Sequence, residues 1–257
     1  MTRAEIVKIQ RTRQLRRMKM TLVITLMSLS MLAGFTLFQK SKLQFTAALL
    51  STQGAPKQLQ ELCEQNPETK EFVAHYKINQ IHPKKLSIKK DVKKGTIAMF
   101  LQWDERWGYR HYGNDFMAIN GCGPTCLSMV YSGLTGQTVY DPYTVAKKAE
   151  QEDFYVKGSG TSWDMMTTMA EEMGLIARVH QFEEHSILQD LKNGVPMIAI
   201  LGPGDFTTEG HFIVLCGVDQ NGKVIVHDPN SIKRSKQTWD LAQLMGQMRN
   251  LWSYGVY

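Results

Sequence analysis

The residues most able to do chemistry stand together in Asn120-Gly121-Cys122-Gly123-Pro124-Thr125-Cys126-Leu127-Ser128-Met129-Val130. A thiol lies between two glycines, and a hydrophobic run of helical period follows it. Glycines on both sides allow backbone or substrate to approach the sulfur closely. Pro124 suits the first turn of a helix, where its missing N–H is no loss. Cys122 is therefore expected just ahead of a helix N-terminus, where free N–H groups and the macrodipole favour thiolate over thiol. The same stretch also fits a structural cysteine before an ordinary core helix, so partners elsewhere in the chain must decide.

A cysteine nucleophile needs a base, and the imidazole that serves needs a third group to fix its tautomer. Two β-branched runs near the C-terminus, 211–218 and 223–228, are joined by Asp219-Gln220-Asn221-Gly222. Asn-Gly between such runs is a strong hairpin signal. His211 opens the first strand and Asp228 closes the second, with their midpoint inside the turn. Antiparallel pairing then brings both to the same end, within a pair or two of facing each other. Alternation turns His227 to the opposite sheet face from Asp228, which makes it a structural or surface histidine.

The elements that must position these groups follow from local pattern. Residues 97–101 read as a short buried strand leading into an aromatic-rich stretch around Trp103 and Trp107. Asp141-Pro142 opens a helix running to about residue 152. Thr161-Ser162-Trp163-Asp164 has the form of a capping box, for a helix that stops at Gly174. Residues 175–180 read as a strand, 184–192 as a helix, and the continuous apolar run 196–201 as a buried strand. Thr238 is expected to cap a last helix over 239–248, with a returning strand over 251–256. The body thus reads as mainly helical up to about residue 194 and then switches to strands.

Charge and hydropathy set the context. Seven of the 30 Lys and Arg residues lie within the first twenty positions, leaving 23 basic against 23 acidic residues in the remainder. The net charge of +6 is thus local, and a neutral body excludes nucleic-acid binding as an expectation. Residues 20–39 carry no charge, long enough to cross a bilayer of roughly 30 Å as a helix. A basic head before the span and a large domain after it place the body outside the cytoplasm. The chain is accordingly read as a basic cytoplasmic head (1–19), a transmembrane signal anchor (20–39), a lysine-rich polar stalk with short helices (40–95) and a globular body (96–257). A cleaved signal peptide, which would release the body, has a similar pattern but finds no good cleavage site here. Four cysteines (Cys63, Cys122, Cys126, Cys216) are too few and too scattered for a disulfide framework.

Gln102-Trp103-Asp104 with Trp107, the Cys122 segment from Gly121 to Met129, Gly210-His211-Phe212-Ile213-Val214 and His227-Asp228-Pro229 together resemble the peptidase C39-like domain. This is a stand-alone branch of the papain-like cysteine peptidases, related to the leader-cleaving domains of bacteriocin-exporting transporters. The resemblance covers roughly residues 96–257. It implies a papain-like α+β fold with the cysteine on a central helix facing an antiparallel sheet. It also implies Cys122 as nucleophile, His211 as general base and acid, and Asp228 as orienter. Gln102 would donate to the oxyanion beside the Cys122 N–H. Transporter-linked relatives keep that glutamine close to the cysteine, whereas this chain inserts residues 107–119.

The implied activity is hydrolysis of peptide bonds through an acyl-enzyme, on a peptide or protein substrate, by a monomer needing no cofactor or metal. Papain-like folds also host amidases and acyl transferases. A second class of reading is a non-catalytic surface module binding a peptide or a cell-wall partner, although such a role requires neither Cys, His nor Asp. A third makes Cys122, Cys126, Cys216 and His211 a zinc site, which the C-x-x-x-C spacing fits poorly.

Overall fold

The computed structural model describes residues 54–257 except Ser159, together with Met20, Met27 and Met31. The expected head and membrane anchor, residues 1–19 and 20–39, otherwise lie outside the described residues. No helix among the described residues is long and apolar enough to cross a membrane.

The compact unit spans Gly54–Tyr257. Its first elements are α1 (Lys57–Gln65), a 3-10 turn at Pro67–Thr69, α2 (Lys70–Ala74) and α3 (Tyr76–Ile81). Then come β1 (His111–Tyr112) and β2 (Asp115–Phe116), the single turn α4 (Met117–Asn120), α5 (Cys122–Thr135) and α6 (Pro142–Gln151). A small ribbon of β3 (Tyr155–Val156) and β4 (Gly160–Thr161) precedes α7 (Thr168–Glu172). The rest alternates: β5 (Ile176–Val179), α8 (Glu184–Lys192), β6 (Met197–Leu201), β7 (His211–Val218) and β8 (Val224–His227). Last are α9 (Ile232–Ser235), β9 (Thr238–Trp239), α10 (Leu241–Met245) and β10 (Met248–Gly255).

Six strands form one antiparallel sheet in the order β5-β10-β6-β7-β8-β9. Alternation divides β6 between two cores. Ile198 and Ile200 join Phe212, Val214, Trp252 and Tyr254 in the core that packs on α5. Met197, Ala199 and Leu201 join Ile213, Leu215 and Leu251 on the other face, against α8 and α10. A strand covered on both sides must be apolar throughout, which is why 196–201 is a continuous run. The same logic applies to α5. Its residues from Gly123 to Gly133 are all buried, so it is hydrophobic around its circumference rather than along one stripe. Ser128 in its middle is satisfied by donating to the Tyr140 carbonyl at 2.7 Å.

Local signals hold where side chains close their own caps. Asp141 Oδ1 accepts from the N–H groups of Tyr143 and Thr144 at 3.0 and 3.1 Å, starting α6 at Pro142. The β7–β8 turn is fixed by Asp219 Oδ1, which accepts from Asn221 N and Lys223 N at 2.8 and 2.9 Å, with Gly222 in the left-handed region. Ser162 caps the 3-10 turn Trp163–Met166 before α7, in place of one continuous helix from 161.

Two expectations are corrected. Residues 97–101 join no ladder: Phe100 N reaches Met129 Sδ of α5 at 3.3 Å, the Leu101 carbonyl accepts from Trp107 Nε1 at 2.8 Å, and the next N–H, of Gln102, reaches the Pro229 carbonyl at 2.7 Å. The helix expected over 239–248 is shortened. Thr238 and Trp239 pair with Ile225 and Val224 instead, because Trp239 buries its ring against Phe206 (centroids 4.5 Å apart). The described part of the stretch read as a stalk packs on the body, with Leu59, Leu62, Phe72, Val73 and Ile88 buried and the compact unit beginning at Gly54.

Candidate active site

Cys122 is the first residue of α5, one step past the break from α4 at Gly121. At this position the N–H groups of the first turn have no intrahelical acceptor and point toward the entry of the helix. The flanking glycines are required by close approach. A Cβ at Gly123 would lie 2.7 Å from Thr161 Oγ1, and one at Gly121 would lie 2.4 Å from the Met117 carbonyl oxygen. Cys122 is only partly buried and opens into a cleft of about 590 Å³. One wall of this cleft is the β3–β4 ribbon with Tyr155, Thr161 and Trp163; the other holds Leu201, Pro203 and Glu209.

His211 stands at the start of β7, and Asp228 follows the last residue of β8. The two are joined by a 2.7 Å hydrogen bond from His211 Nε2 to Asp228 Oδ1. That bond leaves Nδ1 free of the carboxylate, and Cys122 and His211 lie close enough for each to shift the other's pKa. Asp228 is fully buried, and both of its carboxylate oxygens accept hydrogen bonds. Oδ1 also accepts from Asn230 N at 2.7 Å, and Oδ2 accepts from Arg234 Nε. Arg234, carried on α9, was not singled out by the sequence. A cation six residues after the acid was the available signal, and only the tight loop 228–231 gives it meaning.

The electrostatics follow from these contacts. Burial pushes the Cys122 thiol up, but His211 (by hydrogen bond and charge) and the N–H groups of Phe212 and Gly123 outweigh it, and the pKa is lowered. Burial pushes His211 down, yet the charge and hydrogen bond of Asp228, with Cys122 beyond, raise it to about 10. Burial pushes Asp228 up, and His211 and Arg234 together bring it below the usual carboxylate range. All three directions favour one state: thiolate, imidazolium and carboxylate in a row.

His227 lies outside this row. It pairs with Val214, and its pKa is lowered by burial against one backbone contact to Ala98. Gln102 lies outside as well. Its Nε2 donates to the carbonyls of Ala118 and Ile119 at 2.8 and 3.1 Å, and its buried Oε1 has no partner. With both amide hydrogens spent on α4, Gln102 does not face the cleft as the expected oxyanion donor; it braces the turn that leads into Cys122. Asn120, two residues before the thiol, lines the cleft, its Nδ2 donating to the Tyr112 carbonyl at 3.2 Å and to the Tyr155 hydroxyl at 3.4 Å. Among the described residues, no group of three His, Cys, Asp or Glu side chains converges to hold a metal ion.

Residues 94–255 match the sequence profile of the peptidase C39 like family, well over half of the chain. The chain belongs to this family. Two solved structures are similar to it at low identity. One is the peptidase domain of Streptococcus ComA, a bi-functional ABC transporter involved in a quorum-sensing pathway (18% identity, 54% of this chain and 93% of that one, TM-score 0.35). The other is described as a C39-like peptidase from Bacillus anthracis (17% identity, 65% and 98%, TM-score 0.35). No curated protein matches. The C39-like profile spans Cys122, His211 and Asp228, and leaves residues 54–93 of the compact unit outside it.

Proposed function

We propose that this protein is a cysteine peptidase, held at the membrane by residues 20–39 with its catalytic body outside the cytoplasm. One observation carries the reading: Cys122 begins a buried helix within electrostatic reach of His211, which Asp228 holds at 2.7 Å. A binding module needs no such row, whereas acyl transfer needs all three groups.

The Cys122 thiolate attacks the peptide carbonyl, forming the C–S bond while the carbonyl electrons move to oxygen. The developing oxyanion lies near the start of α5, where the Cys122 N–H has no intrahelical acceptor. His211, protonated at Nδ1, gives its proton to the leaving amine as the C–N bond breaks, leaving a thioester. It then takes a proton from water, whose oxygen attacks the thioester; the acid product leaves and the thiolate–imidazolium pair is restored. Asp228 keeps Nε2 protonated throughout and remains a carboxylate.

The test is labelling with a thiol-directed acyl electrophile alongside hydrolysis of a peptide library, in the native chain and in Cys122→Ala. Labelling and hydrolysis that both vanish in the variant fit the reading. Hydrolysis that survives in Cys122→Ala would remove it.

A further inference from the structure

Asp228 is held from a part of the chain that the family profile does not include. Residues 54–82 pack Leu59, Leu62, Phe72 and Val73 against Trp103 and Phe116 in a core of their own. From that platform two polar side chains reach the loop after β8. Asn66 Nδ2 donates to the Asn230 carbonyl at 2.7 Å and to Asn230 Oδ1 at 3.0 Å. Glu68 accepts from Ser231 Oγ with one oxygen and from Lys233 N, at 3.1 Å, with the other. Asn66 in turn fixes its own turn, its Oδ1 accepting from Glu68 N at 3.1 Å.

The residues so gripped are those that hold the acid. Asn230 supplies the N–H to Asp228 Oδ1, and Ser231 bridges Asp228 and caps α9 by accepting from Arg234 N at 3.1 Å. Arg234 reaches Asp228 Oδ2, and Trp103 Nε1, from the body itself, adds a 3.2 Å bond to the Asn230 carbonyl. We propose that Asn66 and Glu68 are positioning residues, and that the segment before the family's own body is a strap holding Asp228 against His211. This rests on the peptidase reading above and extends it: the body beginning at residue 94 is incomplete without the strap. A loosened loop lets Asp228 drift from His211, which weakens the imidazolium and with it the Cys122 thiolate. The charged groups facing this row are Cys122, His211, Asp228 and Arg234.

The experiment compares the full native chain with Asn66→Ala/Glu68→Ala, reading kcat, KM, Tm and the pH dependence of Cys122 alkylation by iodoacetamide. The strap predicts a fall in kcat on the order of tenfold to a hundredfold with KM little changed, the scale of a small misplacement in a catalytic group. It also predicts that the acid limb of the alkylation profile moves toward higher pH. Glu68→Gln should restore most of both, since the amide can accept from Lys233 N and donate to Ser231. Glu61→Gln, which touches only the exposed Lys57 ammonium at 3.0 Å, should behave as native. If the double variant does not fold, Asn66→Ala alone is the milder cut and carries the same expectation in smaller degree. A lowered Tm with kcat and the alkylation profile both unchanged would overturn the strap and leave the peptidase reading standing. A native chain whose Cys122 shows no enhanced alkylation below neutral pH would overturn that reading itself, and the strap with it.

Discussion

The molecule holds the same two residue types in two arrangements, and they behave oppositely. Cys122 and Cys126 lie one turn apart on α5; His211 and His227 lie on the two strands of one hairpin. Burial pushes the Cys126 thiol well above its usual range and lowers the His227 imidazole, so both stay neutral. Burial acts in the same direction on Cys122 and His211, yet both shifts are reversed. Only the second pair has mutual contact and an anion behind the imidazole. Depth in the fold is therefore not what arms a cysteine. A partnered charge is, and burial then makes that partnership stronger by lowering the local dielectric.

The comparison breaks most visibly at the base. His211→Ala should lower kcat by about a thousandfold, within the usual range for a general acid–base group, while His227→Ala leaves kcat nearly native. Peptide hydrolysis by the two variants side by side checks this; the reverse result would mean the hairpin register is misassigned. Next is pH. Iodoacetamide should label Cys122 rapidly below neutral pH, where Cys63, Cys126 and Cys216, all with raised pKa, are thiols and stay unlabelled. Turnover should decline as pH rises toward about 10, where His211 loses the proton it must give to the leaving amine.

A third expectation concerns the anion. Asp228→Asn should lower turnover less than His211→Ala and flatten the acid side of the stability curve. The folded pKa of Asp228 is depressed, so its contribution is present above the ordinary carboxylate pKa and lost as pH falls through the lower folded value. Thermal melts between neutral and strongly acid pH, native against variant, read it directly. The smallest effects sharpen the comparison. Gln102→Ala should cost less than the roughly hundredfold loss of an oxyanion donor, because its amide braces α4. Cys126→Ala should keep activity and lose about 1 kcal/mol, roughly 2–4 °C of Tm by calorimetry.

Much of the row was legible because its parts are local. A thiol between glycines before a helix, a hairpin with Asn-Gly in its turn, and a histidine and an aspartate at matched ends are each short-range signals. What escaped is long-range. The place of β10 in the middle of the sheet, between β5 and β6, depends on pairings that no window of sequence contains. The same holds for residues 54–95, whose lysines read as solvated while Leu59, Leu62, Phe72, Val73 and Ile88 do the packing. Gln102 was read in the role that the resemblance implies, and its actual acceptors belong to α4, sixteen and seventeen positions along the chain. Residues 97–101 carry a strand's apolar character without a strand's partner.

The register shift in the hairpin sets a parity for the whole row. Near the turn, Val218 pairs with Val224 and Gly217 with Ile225; beyond the shift, Leu215 pairs with Val226 and Val214 with His227. Cys216 is the uncounted residue between them. Continued without the shift, with Cys216 counted, the ladder would set Asp228 opposite Val214, out of phase with His211. With it, Asp228 falls in step with residue 213 and therefore on the same beat as His211. One supernumerary amino acid, five positions from the histidine and touching no substrate, acts as a phase shifter for acid and base. Drawing Cys216 into the ladder as a paired residue would preserve every group of the row in the sequence and put two of them on opposite sides of the sheet.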